Sequence, residues 1–198
     1  MSLTSPKDVE RFNKWAVTYE KSVAQRWYFG PIHLAMLDLL DHERQEKPPC
    51  FILDVGCGTG RLLRATSVRW PHAQLSGADP AERMVSEAGR LNPSATFTLA
   101  FSESLPFPGQ SFDLVFSSLS LHHWANQAKG LKEIARVLRR GGWFCLADYT
   151  IPGWIACLFG EKVKSFDQIR GLIQAAGLSV MCQKRLWARF AHITLACK

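Results

Sequence analysis

Residues 51–60 read FILDVGCGTG, and this stretch decides the fold. Five mostly apolar residues, partly β-branched, run into glycines at 56, 58 and 60, the pattern of a buried strand that breaks into a tight turn before a helix. Glycine permits backbone angles that a Cβ forbids and lets the main chain approach a ligand closely, while the next helix presents unpaired N–H groups in its first turn. The turn reads as a nucleotide-type cradle, although a plain link between strand and helix would use the same residues.

Working outward, strands are expected at 51–55, 74–79, 95–101, 112–117, 143–149, 178–183 and 192–197, with helices near 60–68, 81–90, 127–138 and 165–176. Alternation of this kind implies right-handed crossovers. The expected architecture is α/β: a Rossmann-like, doubly wound, seven-stranded sheet, mostly parallel, with helices on both faces. The last two expected strands have no helix between them, so the last strand is expected to run antiparallel. Upstream, Val9, Phe12, Trp15, Ala16 and Tyr19 recur at helical spacing among charged residues, and a second apolar helix is expected over 31–40. A charged run with Pro48 and Pro49 closes that region. The chain is read as one domain: a helical amino-terminal cap (1–49), a ligand-binding core (50–149), and a carboxyl-terminal lid segment, helix and strand pair (150–198).

The 198 residues, 47% hydrophobic and 21% charged, suit a folded domain with a proper core and exclude a disordered chain. No apolar run approaches the ~20 residues that span a bilayer, and the first fifteen residues lack the apolar centre of a signal peptide, so a cytoplasmic location is expected. Six cysteines without a Cys-x-x-Cys pair lead us to expect neither disulfides nor a metal. The net charge is +7, and from residue 151 onward seven basic residues face two acidic ones. Nucleic acid, anionic lipid or an acidic substrate would each suit a basic chain, but charge this scattered reads first as a solvated face.

Ligands of doubly wound sheets bind at the carboxyl ends of the strands. That rule selects the glycine turn, then Asp79, then Ser102 and Glu103, then Ser118, His122 and His123. Asp79 lies nineteen positions beyond Gly60, where a carboxylate can accept both ribose hydroxyls or cap the helix beginning near Ala81. The glycine spacing is G-x-G-x-G, with Arg61 where a dinucleotide fingerprint needs its third glycine, and no Gly-Lys-Ser/Thr makes a P-loop. Asp54, just before the turn, disfavours a pyrophosphate and suits an ammonium group, reached directly or through water. A cationic amino-acid cofactor is therefore expected.

These residues resemble the class I S-adenosylmethionine-dependent methyltransferases, especially the small-molecule branch similar to quinone-biosynthesis C-methyltransferases. The resemblance rests on LDVGCGTG (53–60), GADPAERMVSEA (77–88), ESLPFPGQSFDLVFSSLSLHHW (103–124) and LKEIARVLRRGGWFCLADY (131–149), in the family's order over about half the chain. RFNKWAVTYE (11–20) is similar to the cofactor lid of that branch, with Tyr19 at its aromatic position. The resemblance implies S-adenosylmethionine as cofactor. Gly56, Cys57, Gly58, Thr59 and Gly60 would surround its methionine part, Asp54 its amino group, Asp79 the ribose and Pro80 and Met84 the adenine. Ser102 and Glu103 would lie at the adenine's polar edge, and Ser118 would face the methionine. Two residues depart from the pattern. Phe101 replaces the usual acid or amide that receives the adenine amino group, so Glu103, the Ser102 backbone or packing must take over. Arg140 replaces a proline and should affect only its turn.

Methyl transfer from a sulfonium is an in-line displacement, for which a general base is optional. His122 and His123 are the candidates for that base, against the simpler reading that they fix the loop after the fourth strand. Asp113 is read as structural, and His33, His42, His72 and His192 as surface or packed residues. The acceptor is expected to be an apolar or aromatic small molecule, held by the amino-terminal helix and an apolar lid over 150–164, with Arg26 or the basic carboxyl end attracting any anionic group. Carbon, oxygen and nitrogen acceptors all fit. A nucleic-acid methyltransferase is a rival reading that lacks an Asn/Asp-Pro-Pro-Tyr segment after strand four. A non-catalytic cofactor-binding or assembly protein is another.

Overall fold

The computed structural model describes residues 6–22, 25–43, 48–149, 163–186 and 191–198. Seven strands form one sheet: β1 (Phe51–Val55), β2 (Gln74–Asp79), β3 (Thr96–Leu99), β4 (Phe112–Ser118), β5 (Leu138–Tyr149), β6 (Ser179–Arg185) and β7 (Ala191–Cys197), in the order β3-β2-β1-β4-β5-β7-β6. The pairs from β3 through β5 are parallel, and β7 runs antiparallel to both its neighbours. The expected sheet is therefore present. The helices are α1 (Pro6–Tyr19), α2 (Gly30–Glu43), α3 (Arg61–Arg69), α4 (Glu82–Leu91), α5 (Gln127–Val137) and α6 (Phe166–Ala175), with one π-helical turn (Gln25–Phe29) leading into α2.

Successive strand residues point to opposite faces, and both faces are buried, which is why the central strands read as continuous apolar runs. Leu53, Val115, Phe144 and Leu146 pack under Leu131 and Ile134 of α5 and Ile169 and Ile173 of α6. Their neighbours Ile52, Leu114, Phe116 and Cys145 pack under Ile32, Met36 and Leu40 of α2 and Leu62 and Leu63 of α3. Helix α1 instead rests on α4, where Ala16 meets Ala81 and Met84. Chain order reverses beside β1, which has β2 on one side and β4 on the other, so the switch point opens at the carboxyl ends of β1 and β4.

Two differences from the expected strand bounds, and the place of the last strand, have physical reasons. Strand β3 is shorter than expected, because Ala100 ends its pairing at Asp79 and the chain turns at Phe101. Strand β5 starts five residues early: Leu138 pairs with Phe112, then the register slips so that Leu114 faces Trp143. Gly141, at φ 73°, and Arg140 lie within that slip. Strand β7 inserts between β5 and β6, and it is apolar and buried nearly throughout while β6 carries Gln183, Lys184 and Arg185 at the edge.

Asp113 has the structural role expected of it. Its Oδ2 accepts from the backbone N–H groups of Cys50 (3.0 Å) and Phe51 (2.9 Å), and its Oδ1 accepts from Arg139 Nη1 at 2.8 Å. Asp113→Ala is expected to cost about 1–2 kcal/mol of folding free energy by removing the acceptor of two backbone donors, measured by urea denaturation. Among the described residues no helix is long and apolar enough to cross a membrane.

Candidate active site

The glycine turn is built by conformation and by two backbone bonds. Gly56, Gly58 and Gly60 have φ of 76°, 52° and 75°, all in the left-handed region. The N–H groups of Gly56 and Cys57 both donate to Ala78 O, at 2.8 and 3.1 Å, and so tie the turn to β2. A Cβ on Gly56 would overlap the Ser120 side chain. Asp79 completes the cradle: its Oδ2 accepts from Gly58 N–H and its Oδ1 from Ala81 N–H, both at 2.9 Å. It thus serves the helix-start role, and a carboxylate with two bonds made retains lone pairs for hydroxyls. Burial pushes Asp79 up to about 6.

Three adjoining cavities open here. The inner cleft, about 90 Å³, is walled by Gly56, Gly58, Asp79, Pro80, Met84 and Ser102 below and by Val9 and Phe12 of α1 above. The outer pocket, about 460 Å³, lies between α1, the turn after β4 and the end of β5, and is lined by Arg11, Trp15, Phe29, His122 and Tyr149. Phe12, Tyr19, Leu119 and His123 form a wall common to both. A deep pocket of about 40 Å³ is lined by Asp54, Cys57, Thr59, Ser118 and His33.

The structure thus brings Tyr19, Asp54, Gly56, Cys57, Gly58, Thr59, Asp79, Pro80, Met84, Ser102, Ser118, His122 and His123 to connected walls. Gly60 and Glu103 lie behind those walls. The bare Cα of Gly60 leaves room for Phe97, whose ring would come within 2.9 Å of a Cβ there. Glu103 spends its oxygens on Ser102 Oγ (2.9 Å) and Asn126 N–H (2.8 Å), so it orients Ser102 and holds the start of α5. Phe101 itself sits in the turn that carries Ser102. The side chain of Arg26 and most of the apolar lid segment lie outside the described residues.

The two histidines differ. His122 Nδ1 lies 2.6 Å from Asp148 Oδ1, while the His122 backbone N–H donates to Asp148 Oδ2 at 3.0 Å. Asp148 is buried at the carboxyl end of β5 and also accepts from Tyr149 N–H at 2.7 Å. The His123 ring meets Phe12 edge-on at 5.1 Å, and burial, then the neighbouring His122, pushes it down to about 4. It is neutral at pH 7.

Two residues here escape a reading of the sequence. Asp148 obeys the same strand-end rule as Asp79, but at the fifth strand, beyond the four ends to which it was applied. Glu20, just past α1, bonds Thr59 Oγ1 and Arg64 Nη2 (2.7 Å) and reaches Arg61 Nη1 (3.4 Å), pinning α1 to the glycine turn. Its long-range partners leave no local signature.

Comparison with known proteins agrees with this geometry. The methyltransferase-domain family matches residues 53–146. Demethylmenaquinone methyltransferase of Chlorobaculum parvum is 34% identical over 113 residues, covering 57% of this chain and 45% of its own. The enzyme of the same name from Thermus thermophilus is 35% identical over 157 residues, covering 75% of this chain and 66% of its own. The chain thus spans about half the length of the first relative and some two thirds of the second. A SAM-dependent methyltransferase from Aquifex aeolicus superimposes with a TM-score of 0.71 over 97% of both chains at 17% identity, a likeness of fold. With the strand order, the glycine turn and the strand-end acids all in place, the chain belongs to the class I S-adenosylmethionine-dependent methyltransferases.

Proposed function

We propose that the chain transfers a methyl group from S-adenosylmethionine to a small apolar or aromatic molecule. The observation that carries this reading is the shared wall of Phe12, Tyr19, Leu119 and His123, which sets the inner cleft directly against an aromatic pocket. The residues present suit the cofactor: among the described residues Asp54 Oδ1 and Ser118 Oγ are buried without hydrogen-bond partners on the same pocket, beside a turn in which Gly56 has no room for a Cβ. Asp79 would take the ribose hydroxyls, Pro80 and Met84 the adenine faces, Ser102 its polar edge, and Asp54 the ammonium. The bound cofactor supplies an electrophilic methyl group. The chain's own work is to align the acceptor, exclude water with α1, and accept any proton the acceptor loses.

For that proton we assign His122. An ionised Asp148 accepts only, so Nδ1 carries the hydrogen and Nε2 keeps its lone pair. Asp148 then stabilises the imidazolium that forms. The relatives named demethylmenaquinone methyltransferase make an aromatic quinol one acceptor worth testing.

The deciding experiment incubates the protein with methyl-labelled cofactor and fractionated cell extract, followed by mass spectrometry. Label in a small-molecule fraction is the expected result. Failure of the folded protein to bind S-adenosylhomocysteine in calorimetry would overturn the proposal. Salt-sensitive labelling of RNA would favour a nucleic-acid enzyme, and binding without labelling of any fraction a cofactor-binding protein.

A further inference from the structure

The deep pocket has two polar sides. On one, Asp54 near the end of β1 is buried, with Oδ1 unpartnered among the described residues. On the other, His33 enters from the first turns of α2, a helix whose other buried residues are Ile32, Met36, Leu37, Leu39 and Leu40. Its Nδ1 is buried and has no hydrogen-bond partner among the described residues. An imidazole among aliphatic neighbours costs free energy unless something pairs with it. Arg61, from the first turn of α3, lines the same pocket, and its contact with Glu20 Oε2, at 3.4 Å, is long. Burial, then the charges of Arg61 and Arg64, pushes His33 down to about 3, so the ring is a neutral donor in a positive field. Tyr19, Gly56, Gly58 and Ser118 line both this pocket and the inner cleft, so one ligand can reach both.

An acceptor on β1 facing a donor and a guanidinium on α2 and α3 complements a zwitterion. We propose that His33 and Arg61 receive the α-carboxylate of the cofactor's amino-acid end, opposite Asp54, and thereby make the pocket select a zwitterionic α-amino acid. The inference rests on the reading of the inner cleft as the S-adenosylmethionine site. It gives His33 a ligand in place of the packing role that its apolar surroundings suggest.

Two nucleosides separate the ideas. S-adenosylhomocysteine carries the amino-acid end, whereas 5′-deoxy-5′-methylthioadenosine keeps the adenosine and lacks both charges. In titration calorimetry on the full chain, His33→Leu is expected to weaken S-adenosylhomocysteine about tenfold and to leave methylthioadenosine unchanged. His33→Asn, which restores a donor, should recover part of the loss. Arg61→Gln should show the same selective loss, and it decides the matter if His33→Leu does not fold. Equal losses for both nucleosides, or none, would overturn the assignment of His33 and Arg61. If the unsubstituted, folded chain binds neither nucleoside, the cofactor reading itself fails.

Discussion

Asp148→Asn is expected to lower kcat by about 100-fold or more, while S-adenosylhomocysteine affinity stays within about twofold. The carboxylate serves three donors: the His122 backbone N–H, the His122 ring at Nδ1, and the Tyr149 N–H. An asparagine of the same shape has one oxygen and one NH₂ group in place of two acceptors. If the oxygen stays on the His122 backbone N–H, the NH₂ takes the place of Oδ1, leaves the Tyr149 N–H without its acceptor, faces His122 Nδ1 and requires that nitrogen to accept. The hydrogen then moves to Nε2, and the base is lost although nothing has moved. His122→Gln should cost about as much, and the double variant little more, because the two residues act as one unit. The pH profile is the second readout: the loss of rate on acidification that a general base imposes on the unsubstituted protein should vanish in both variants. His123, Tyr149 and His192 flank the pair, and the ring bonded to the Asp148 carboxylate is that of His122. Parallel losses of cofactor affinity and thermal stability, with kcat otherwise intact, would make Asp148 a purely structural residue.

The contrast between Asp148 and Asp79 shows what a sequence reveals of such a site. Asp79 follows a recognisable glycine turn at a fixed spacing, so its position and its partners within a few residues are both legible. Asp148 lies near the end of an apolar strand, in a stretch that resembles the family but gives the acid no partner at a fixed spacing, and it matters because the sheet order places β5 beside β4 and brings residue 148 to residue 122. The same distinction holds for the fold. Alternating strands and helices mark their own positions through periodicity, whereas the insertion of β7 between β5 and β6 is a matter of pairing. Its signal was burial: AHITLAC is apolar at every position but His192 and Thr194, as suits a strand with two neighbours, while SVMCQKR turns polar, as an edge can. Glu20 and His33 lie further from legibility still. Their meaning comes from partners on α3 and β1, and a lone histidine in an apolar helix face reads first as packing.

Asp54 carries the second large effect, and its sign follows from burial. The carboxyl is enclosed by Asp79 from β2, Cys57 from the turn, His33 from α2 and Arg61 from α3. Burial, then Asp79, pushes it up to about 8, so near pH 7 the free protein holds it protonated. An ammonium ligand needs the carboxylate. Binding must therefore release a proton, and affinity for S-adenosylhomocysteine should rise about tenfold between pH 6.5 and 8, then level off. The free protein should move the opposite way. A carboxyl whose folded pKa lies above its unfolded value contributes stability at low pH and loses it as pH climbs from about 4 through 8. The ligand-induced rise in Tm should accordingly grow with pH. Asp54→Asn separates the two effects: at pH 8 it should weaken S-adenosylhomocysteine about 50-fold while raising the Tm of the free protein, and at pH 6.5 both differences should shrink to a few-fold or less. Affinity that is flat across this range, with a binding heat independent of the buffer's ionisation enthalpy, would show that Asp54 does not meet a cation.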